Sequence, residues 1–483
     1  MVRPPVYVRV PAYALVLSYQ CMAPLVDDSL SEETRTDLEN FVTDWMETHD
    51  VPGAGVAIVD GDETVYSAGF GAKDLESNAA VTPETLFGIG SATKSFTAVA
   101  IMQLVEQGGL AVNNLVADHV DRYEGTDITI SDLLTHSSGM PSDGSAVALI
   151  SRLVGLDPVE VPMSSSDDFA RHLRESSSER LTDRDQFFYY NSGYTVLGEV
   201  IEAITGQSYE AYIEESILSP LGMERSTFDR QTFEDDGDRM TPYYKEDGNT
   251  TKGEFPFDEI IYAPGGLLSS VDELTSYLRF HMNGGTVDGR AILDSSLVAE
   301  MHEPVSTRRV SLSGTPQEYG YGWMVSEFLD DTLVGHGGSI TVSTAYVGFL
   351  EDAGVGVAVA CQSQPAAHPM VLGPALLAIT QGADPVAAVP HFALTEKNDL
   401  VSGDYSSYRG LMDATVENTG GSLQLTLSTR IGEQTVPLVP ETTHPEDLRY
   451  YTVDGLGDRV PAEFRETDDG LELLYERWRL HAK

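Results

Sequence analysis

From Leu38 onward the apolar positions fall at Leu38, Phe41, Val42, Trp45 and Met46, the i, i+3, i+4, i+7, i+8 spacing that lays one stripe along an α-helix. Ser29 precedes this stripe with Glu32 three residues on, the pattern of a capping box, and predicts the start of the helix there. Two short apolar runs follow at 56–59 and 65–68, on either side of Asp60-Gly61, which reads as a β-hairpin. From about residue 87 to 280 the text is mainly helical, broken by loops rich in Ser, Asp, Gly and Pro. Strand-like runs return at 331–334, 341–349 and 354–361, with 351–354 as a turn. Strands, a long helical insertion, then strands that complete an antiparallel sheet make an α+β fold; no regular β-α-β alternation is present.

Residues 380–390, around Gln381-Gly-Ala-Asp-Pro, read as a linker. Beyond it Leu423, Leu425 and Leu427 alternate with polar residues after Asn418-Thr-Gly-Gly, and Asp468-Asp-Gly470 separates further strand-like runs. The expected organisation is therefore a disordered tail at 1–28, a main domain at 29–382, and a small all-β, barrel-like domain at 390–483. No stretch approaches the roughly 20 apolar residues that span a membrane. The short run at 12–17, after Arg3 and Arg9, is crowded by Pro11, Tyr13, Tyr19 and Gln20 and is followed by no A-x-A site. The expectation is a cytoplasmic protein, with Met22 a candidate for the true start.

Charge changes the picture most. Among 483 residues, 76 acidic side chains face 29 basic ones, a net charge of −47. This excludes sequence-independent binding to nucleic acid, which needs a basic face. Disorder is excluded as well, because 41% of the residues are hydrophobic. Lysine is confined to Lys73, Lys94, Lys245, Lys252, Lys397 and Lys483, and the acidic excess is spread along the chain. Such a surface suits very high salt, where the Debye length falls to ~3 Å at 1 M, so a halophilic source is expected. Cys21 and Cys361 are too few for a disulfide framework and are expected to be free thiols.

The candidate chemistry begins in Phe87-Gly-Ile-Gly-Ser-Ala-Thr-Lys94. Ser91 and Lys94 lie three apart at the head of an apolar run, so on a helix they share a face. A nucleophile, a proton-handling amine and a free backbone N–H at a helix N-terminus would then come from four residues. The same stretch nearly matches a phosphate-binding G-x-x-x-x-G-K-[ST] loop, but Thr93 stands where that loop needs glycine, and nucleotide binding is rejected. Tyr189-Tyr190-Asn191 opens a second helical run, with the bulky Tyr190 expected to point into the core. Tyr319-Gly-Tyr-Gly-Trp323 leads to His336-Gly337-Gly338-Ser339, with Trp323 expected to pack beneath the site. His136 reads as part of a structural loop. His281, His302 and His368 lack metal-ligand spacing, and Glu234–Asp238 reads as a solvated loop. No G-x-S-x-G elbow exists, which argues against an α/β-hydrolase.

The set S-x-x-K, Y-x-N and H-x-G, in that order, resembles the serine β-lactamase and penicillin-binding-protein superfamily. The likeness is to the branch of class C β-lactamases, D-alanyl-D-alanine carboxypeptidases, D-aminopeptidases and related esterases. Ile130-Ser-Asp-Leu-Leu-Thr-His-Ser-Ser-Gly-Met-Pro141, Leu221-Gly-Met-Glu-Arg-Ser-Thr-Phe228 and Pro264-Gly-Gly-Leu-Leu-Ser-Ser270 agree with it. It covers about residues 30–380. The tail looks like the lipocalin-like barrel appended to some members. The resemblance implies an antiparallel sheet flanked by helices with a mainly helical subdomain, and no cofactor or metal. It implies Ser91 as nucleophile, Lys94 as proton carrier and Tyr189 as general base and acid. Asn191 would hold the substrate's amide side chain, and Gly338 and Ser339 would line the substrate's edge, with the N–H groups of Ser91 and Ser339 as the oxyanion hole. His336 would stand in place of a lysine, giving a weaker, pH-dependent charge for a substrate carboxylate. A tyrosine half-ionised at pH 7 needs a shift of about 3 units, roughly 4 kcal/mol. One positive charge about 4 Å away supplies that at an effective dielectric near 20, so Lys94 and Tyr189 both stand as the acylation base.

The implied function is a serine hydrolase acting through an acyl-enzyme on a small D-peptide, D-amino-acid amide or carboxylic ester. The alternatives are a true β-lactamase and a non-catalytic penicillin-binding-like protein. Oligomeric state is not legible in the sequence.

Overall fold

In the computed structural model the described residues are 30–142, 144–154, 166–181, 186–246, 249–419, 421–429, 432–468 and 470–483. Helix Glu32–Thr48 forms where the periodicity places it, but its cap is Ser31, whose hydroxyl accepts from the Thr34 N–H at 3.1 Å. Ser29, Cys21, Met22 and the expected tail lie outside the described residues. Glu32 and Glu33 sit in the first turn, where the helix dipole favours them.

Strands Gly53–Asp60 and Glu63–Asp74 form the early hairpin. The chain then leaves for the helical body and returns to the same sheet. Nine strands result, in the order 306–310, 316–319, 324–328, 331–339, 343–350, 355–362, 53–60, 63–74, 79–80. Every neighbouring pair is antiparallel, and the closure is Ala54 opposite Cys361 through Asp60 opposite Val355. Alternation along Gly53–Asp60 sends Val56 and Ile58 to one core and Ala57 and Val59 to another. Helices Glu32–Thr48 and Pro369–Thr380 cover the first face, and Val271–Met282 with the helical body covers the second. Burial on both faces is why 355–362 reads as one unbroken apolar run.

Residues 380–390 are not an open linker. Asp384 caps a short helix, Pro385–Ala388, and Pro390 begins another that runs to Val401. Both prolines occupy first-turn positions, where no N–H is needed, so a residue read as a breaker is here an initiator. From Gly403 eight strands run in sequence order and close when Gly403–Ser407 pairs with Trp478–Ala482. Leu423, Leu425 and Leu427 fill the barrel's interior. Cys361 is a buried free thiol, pushed up to about 12 by burial.

The acidic run 234–238 is a tie rather than a solvated loop. Arg225 grips Asp236 through two nitrogens, and Asp238 accepts from Lys73, Thr82 and Thr85. Among the described residues, no helix is long and apolar enough to cross a membrane.

Candidate active site

Ser91 lies in a tight turn, Gly90–Ala92, that runs directly into helix Thr93–Glu106. Gly90 holds φ +53° against the backbone of Gly338 and Ser339, so no side chain fits there. Thr93, the residue that spoils the phosphate-loop pattern, donates to the Gly90 carbonyl and accepts from the Leu267 N–H, which locks the turn. One helical turn on, Lys94 is completely buried. Its amine meets Ser91 Oγ at 3.1 Å, Asn191 Oδ1 at 2.8 Å and the Pro264 carbonyl at 2.7 Å. It also lies 4.8 Å from the centre of the Tyr189 ring.

Tyr189 and Asn191 come from the extended approach to helix Asn191–Thr205 and its first residue. Residues two apart on extended chain share a side, so both face Lys94 while Tyr190 turns into the core. The Tyr189 phenol lies beside Ser91, whose hydroxyl opposes the upward push that burial gives the phenol. His136 holds this segment in place. Its carbonyl accepts from the Phe188 N–H at 2.9 Å, its Nδ1 accepts from the Tyr190 N–H at 3.0 Å, and its ring lies 4.3 Å from that of Tyr189. It does so from φ +57°, a conformation few side chains adopt. Accepting at Nδ1 puts the proton on Nε2, which is buried with no partner among the described residues. Spacing did not reveal this role, because His136 and Tyr189 meet through the fold alone.

The third side is the end of strand Asp331–Ser339. A side chain at Gly338 would strike the Ile89 carbonyl and the Ser91 nitrogen, so the strand presses its backbone onto the Ser91 turn. His368 ties this end down: its Nε2 donates to the Gly338 carbonyl at 2.9 Å while Nδ1 accepts from the Met370 N–H. Trp323 is buried between Tyr277 and His281, behind the site. His281, His302 and Glu351 form a hydrogen-bonded chain at 3.1 and 3.0 Å. Among the described residues no cluster is suited to a metal.

The electrostatics bears on the choice between the two candidate bases and on the state of His336. Burial drives the Lys94 amine well below the ordinary lysine range and drives the Tyr189 phenol above the ordinary tyrosine range. A resting tyrosinate is therefore disfavoured. His336, expected as a pH-dependent charge for a substrate carboxylate, is held toward its neutral form in this structure. It is 2% exposed, and burial, with Lys94 and Arg308 nearby, pulls it down to about 3. Its Nδ1 faces the Gly337 carbonyl at 2.6 Å and its Nε2 accepts from the Tyr319 hydroxyl at 2.9 Å. Imidazole in that position is a neutral brace between strands 316–319 and 331–339.

Comparison with known proteins adds to this geometry. The beta-lactamase family model matches residues 38–381, and the Pab87 octamerisation domain model matches residues 385–481. The octameric penicillin-binding protein homologue from Pyrococcus abyssi superposes with a TM-score of 0.83 at 35% identity, covering 92% of this chain and 99% of that one. Protein flp of Staphylococcus aureus (strain MW2) is 27% identical over 66% of this chain and 61% of its own length. The chain thus spans about three fifths of that relative. Penicillin-binding protein 4 of Amycolatopsis lactamdurans is 25% identical over 64% of this chain and 80% of its own.

Proposed function

The chain belongs to the beta-lactamase family, and from that premise we propose that it is a serine hydrolase that forms an acyl-enzyme on a small amide or ester. The supporting observation is the Ser91 hydroxyl 3.1 Å from the buried, depressed amine of Lys94, with the half-buried Tyr189 phenol beside it. Neutral Lys94 takes the proton of Ser91 Oγ as that oxygen bonds the acyl carbon. Charge developing on the acyl oxygen is met by the N–H groups of Ser91 and Ser339. The bond to the leaving nitrogen or oxygen breaks as Tyr189 gives it a proton, and the Lys94 ammonium restores the phenol's proton. Water then releases the acyl group by the reverse path. In this reading Asn191, whose Oδ1 accepts from Lys94 at 2.8 Å, holds the acyl side of the substrate.

Intact-mass labelling with a fluorophosphonate tests this reading. One adduct on the wild type and none on Ser91→Ala is expected; labelling that survives the substitution, or no labelling at all, overturns it. The octameric relative and the matched octamerisation domain support an oligomer built through residues 385–481. Light scattering that returns the monomer mass would refute that. The acidic surface supports a working medium of high salt.

A further inference from the structure

Strands Asp331–Ser339 and Ser343–Leu350 are joined by Ile340, Thr341 and Val342. The Val342 N–H donates back to the Ile340 carbonyl at 2.8 Å, and Thr341 between them holds φ +68°. A hydrogen bond from residue i+2 to residue i across a positive φ is a γ-turn of the rare, strained hand. Among the described residues Thr341 is the only β-branched one with a positive φ, and the branch at its Cβ raises the strain of that conformation.

The surroundings hold the turn in place. The Ile340 N–H donates to the Ser343 carbonyl at 2.9 Å, the Ser343 hydroxyl to the Gly88 carbonyl at 2.7 Å, and the Ser363 N–H to the Val342 carbonyl at 2.8 Å. Ser363 itself holds φ +72°. Ile340 and Val342 are buried, packed against Gly88 and Gly253, and Thr341 stands half-buried between them. Glycine would hold this backbone with less strain, so the backbone alone does not account for a threonine at the tip.

The direction of the strand says which end of the substrate the turn meets. Tyr189, which protonates the leaving group in the reading above, lies by His336, with 6.4 Å between the ring centres. Three residues on, the backbone of Ser339 closes on Gly90, next to Ser91. Thr341 lies two residues further along the same course. The leaving group therefore runs toward His336, and the acyl group runs past Ser339 toward Thr341.

We propose that Thr341 bounds the acyl side of the site, its branched side chain held in the path of the acyl group by the strained turn. The inference rests on the hydrolase reading above, and it makes the substrate one with a short acyl group, whatever leaving group it carries.

The test compares 4-nitrophenyl acetate with 4-nitrophenyl hexanoate, which share a leaving group, on the full-length wild type, Thr341→Gly and Thr341→Val. Glycine suits the φ at this position, so Thr341→Gly keeps the turn and removes only the side chain. The readout is the acetate-to-hexanoate ratio of kcat/KM. The wild type is expected to favour acetate and Thr341→Gly to lower the ratio by about 10- to 100-fold. Thr341→Val, which keeps the branched shape without the hydroxyl, is expected to hold the wild-type ratio. A wild type that prefers hexanoate, a ratio untouched by Thr341→Gly, or a valine variant that behaves as the glycine variant does, overturns the boundary. A second arm needs no turnover: calorimetry of the acetic and hexanoic 4-nitroanilides with Ser91→Ala, with and without Thr341→Gly. Hexanoyl affinity at least about tenfold tighter without the threonine supports the boundary, and equal affinity overturns it. Failure of fluorophosphonate labelling with this binding difference intact would sink the hydrolase reading alone. Labelling with no difference would sink the boundary alone.

Discussion

Lys94 is buried and Tyr189 half-buried, and desolvation acts on them in opposite senses, because the amine's charged form is the acid and the phenol's is the base. The division of labour follows. Lys94→Ala should lose acylation on every substrate. Tyr189→Phe should slow amide substrates by about 10²- to 10⁴-fold while sparing p-nitrophenyl esters, whose leaving group needs no proton. Burst kinetics on the two substrate types reads the difference; equal loss on both would make Tyr189 the acylation base. His136 acts through Tyr189. Its replacement by alanine leaves the buried Tyr190 N–H without its acceptor, at a cost of about 1 to 3 kcal/mol, and should depress kcat. In a double-mutant cycle with Tyr189→Phe the kcat losses should fail to add. Additive losses would show that His136 only stabilises the fold. The S-x-x-K and Y-x-N pairs were legible as neighbours because three residues on a helix and two on an extended chain are local geometry. The state of His336 was not, since charge on an imidazole depends on what surrounds it.

At the level of elements, the site is a junction between one tight turn and one strand end. Gly338→Ala would push a methyl into the Ile89 carbonyl and the Ser91 nitrogen, both backbone atoms that cannot rotate away. A loss of about 3 kcal/mol is expected, with slower fluorophosphonate labelling of whatever remains folded. Thermal melts and labelling rates measure both, and an unperturbed melt would contradict the packing described. Most elements could be read from periodicity: the first helix, the early hairpin, the returning strands and the alternating leucines of the barrel. Two boundaries escaped. Ser31, not Ser29, caps the first helix, and Pro385 and Pro390 begin helices in a stretch that reads as linker. In both places a residue type compatible with two local conformations had its choice made by packing. The register slip between Thr307 and Arg309 left no mark in the sequence, because pairing belongs to two strands.

At the scale of the molecule, a net charge of −47 leaves repulsion that only counterions can offset. Of the few lysines, Lys94 and Lys397 are buried, while Lys73, Lys245 and Lys483 lie within 4 Å of Asp238, Asp50 and Asp413. Melting temperature should therefore rise from dilute buffer to ~1 M KCl, where screening contracts to ~3 Å; a flat profile would remove the halophilic reading. Acid acts in a definite direction once salt has screened the surface. His136, His281 and His336 are held toward their neutral forms by burial, with folded-state values below the ordinary histidine value of about 6.5. The unfolded chain then binds more protons below about pH 6.5, and stability falls as pH drops from there toward 3. Each histidine contributes up to about 1.4 kcal/mol per pH unit. Urea midpoints measured between neutrality and pH 5 in molar KCl would show the slope, and midpoints that rise on acidification would contradict it.

Local order was enough to specify the α+β plan, the pairing of Ser91 with Lys94 and the acidic character of the chain, since apolar period, helix-turn spacing and charge count are properties of the chain read in one dimension. Folding in three dimensions settled which groups burial pushes toward their neutral forms and that His136 holds the Tyr189 segment in place. Those outcomes depend on desolvation and on distances between residues remote in the chain, and neither quantity exists until the sheet closes.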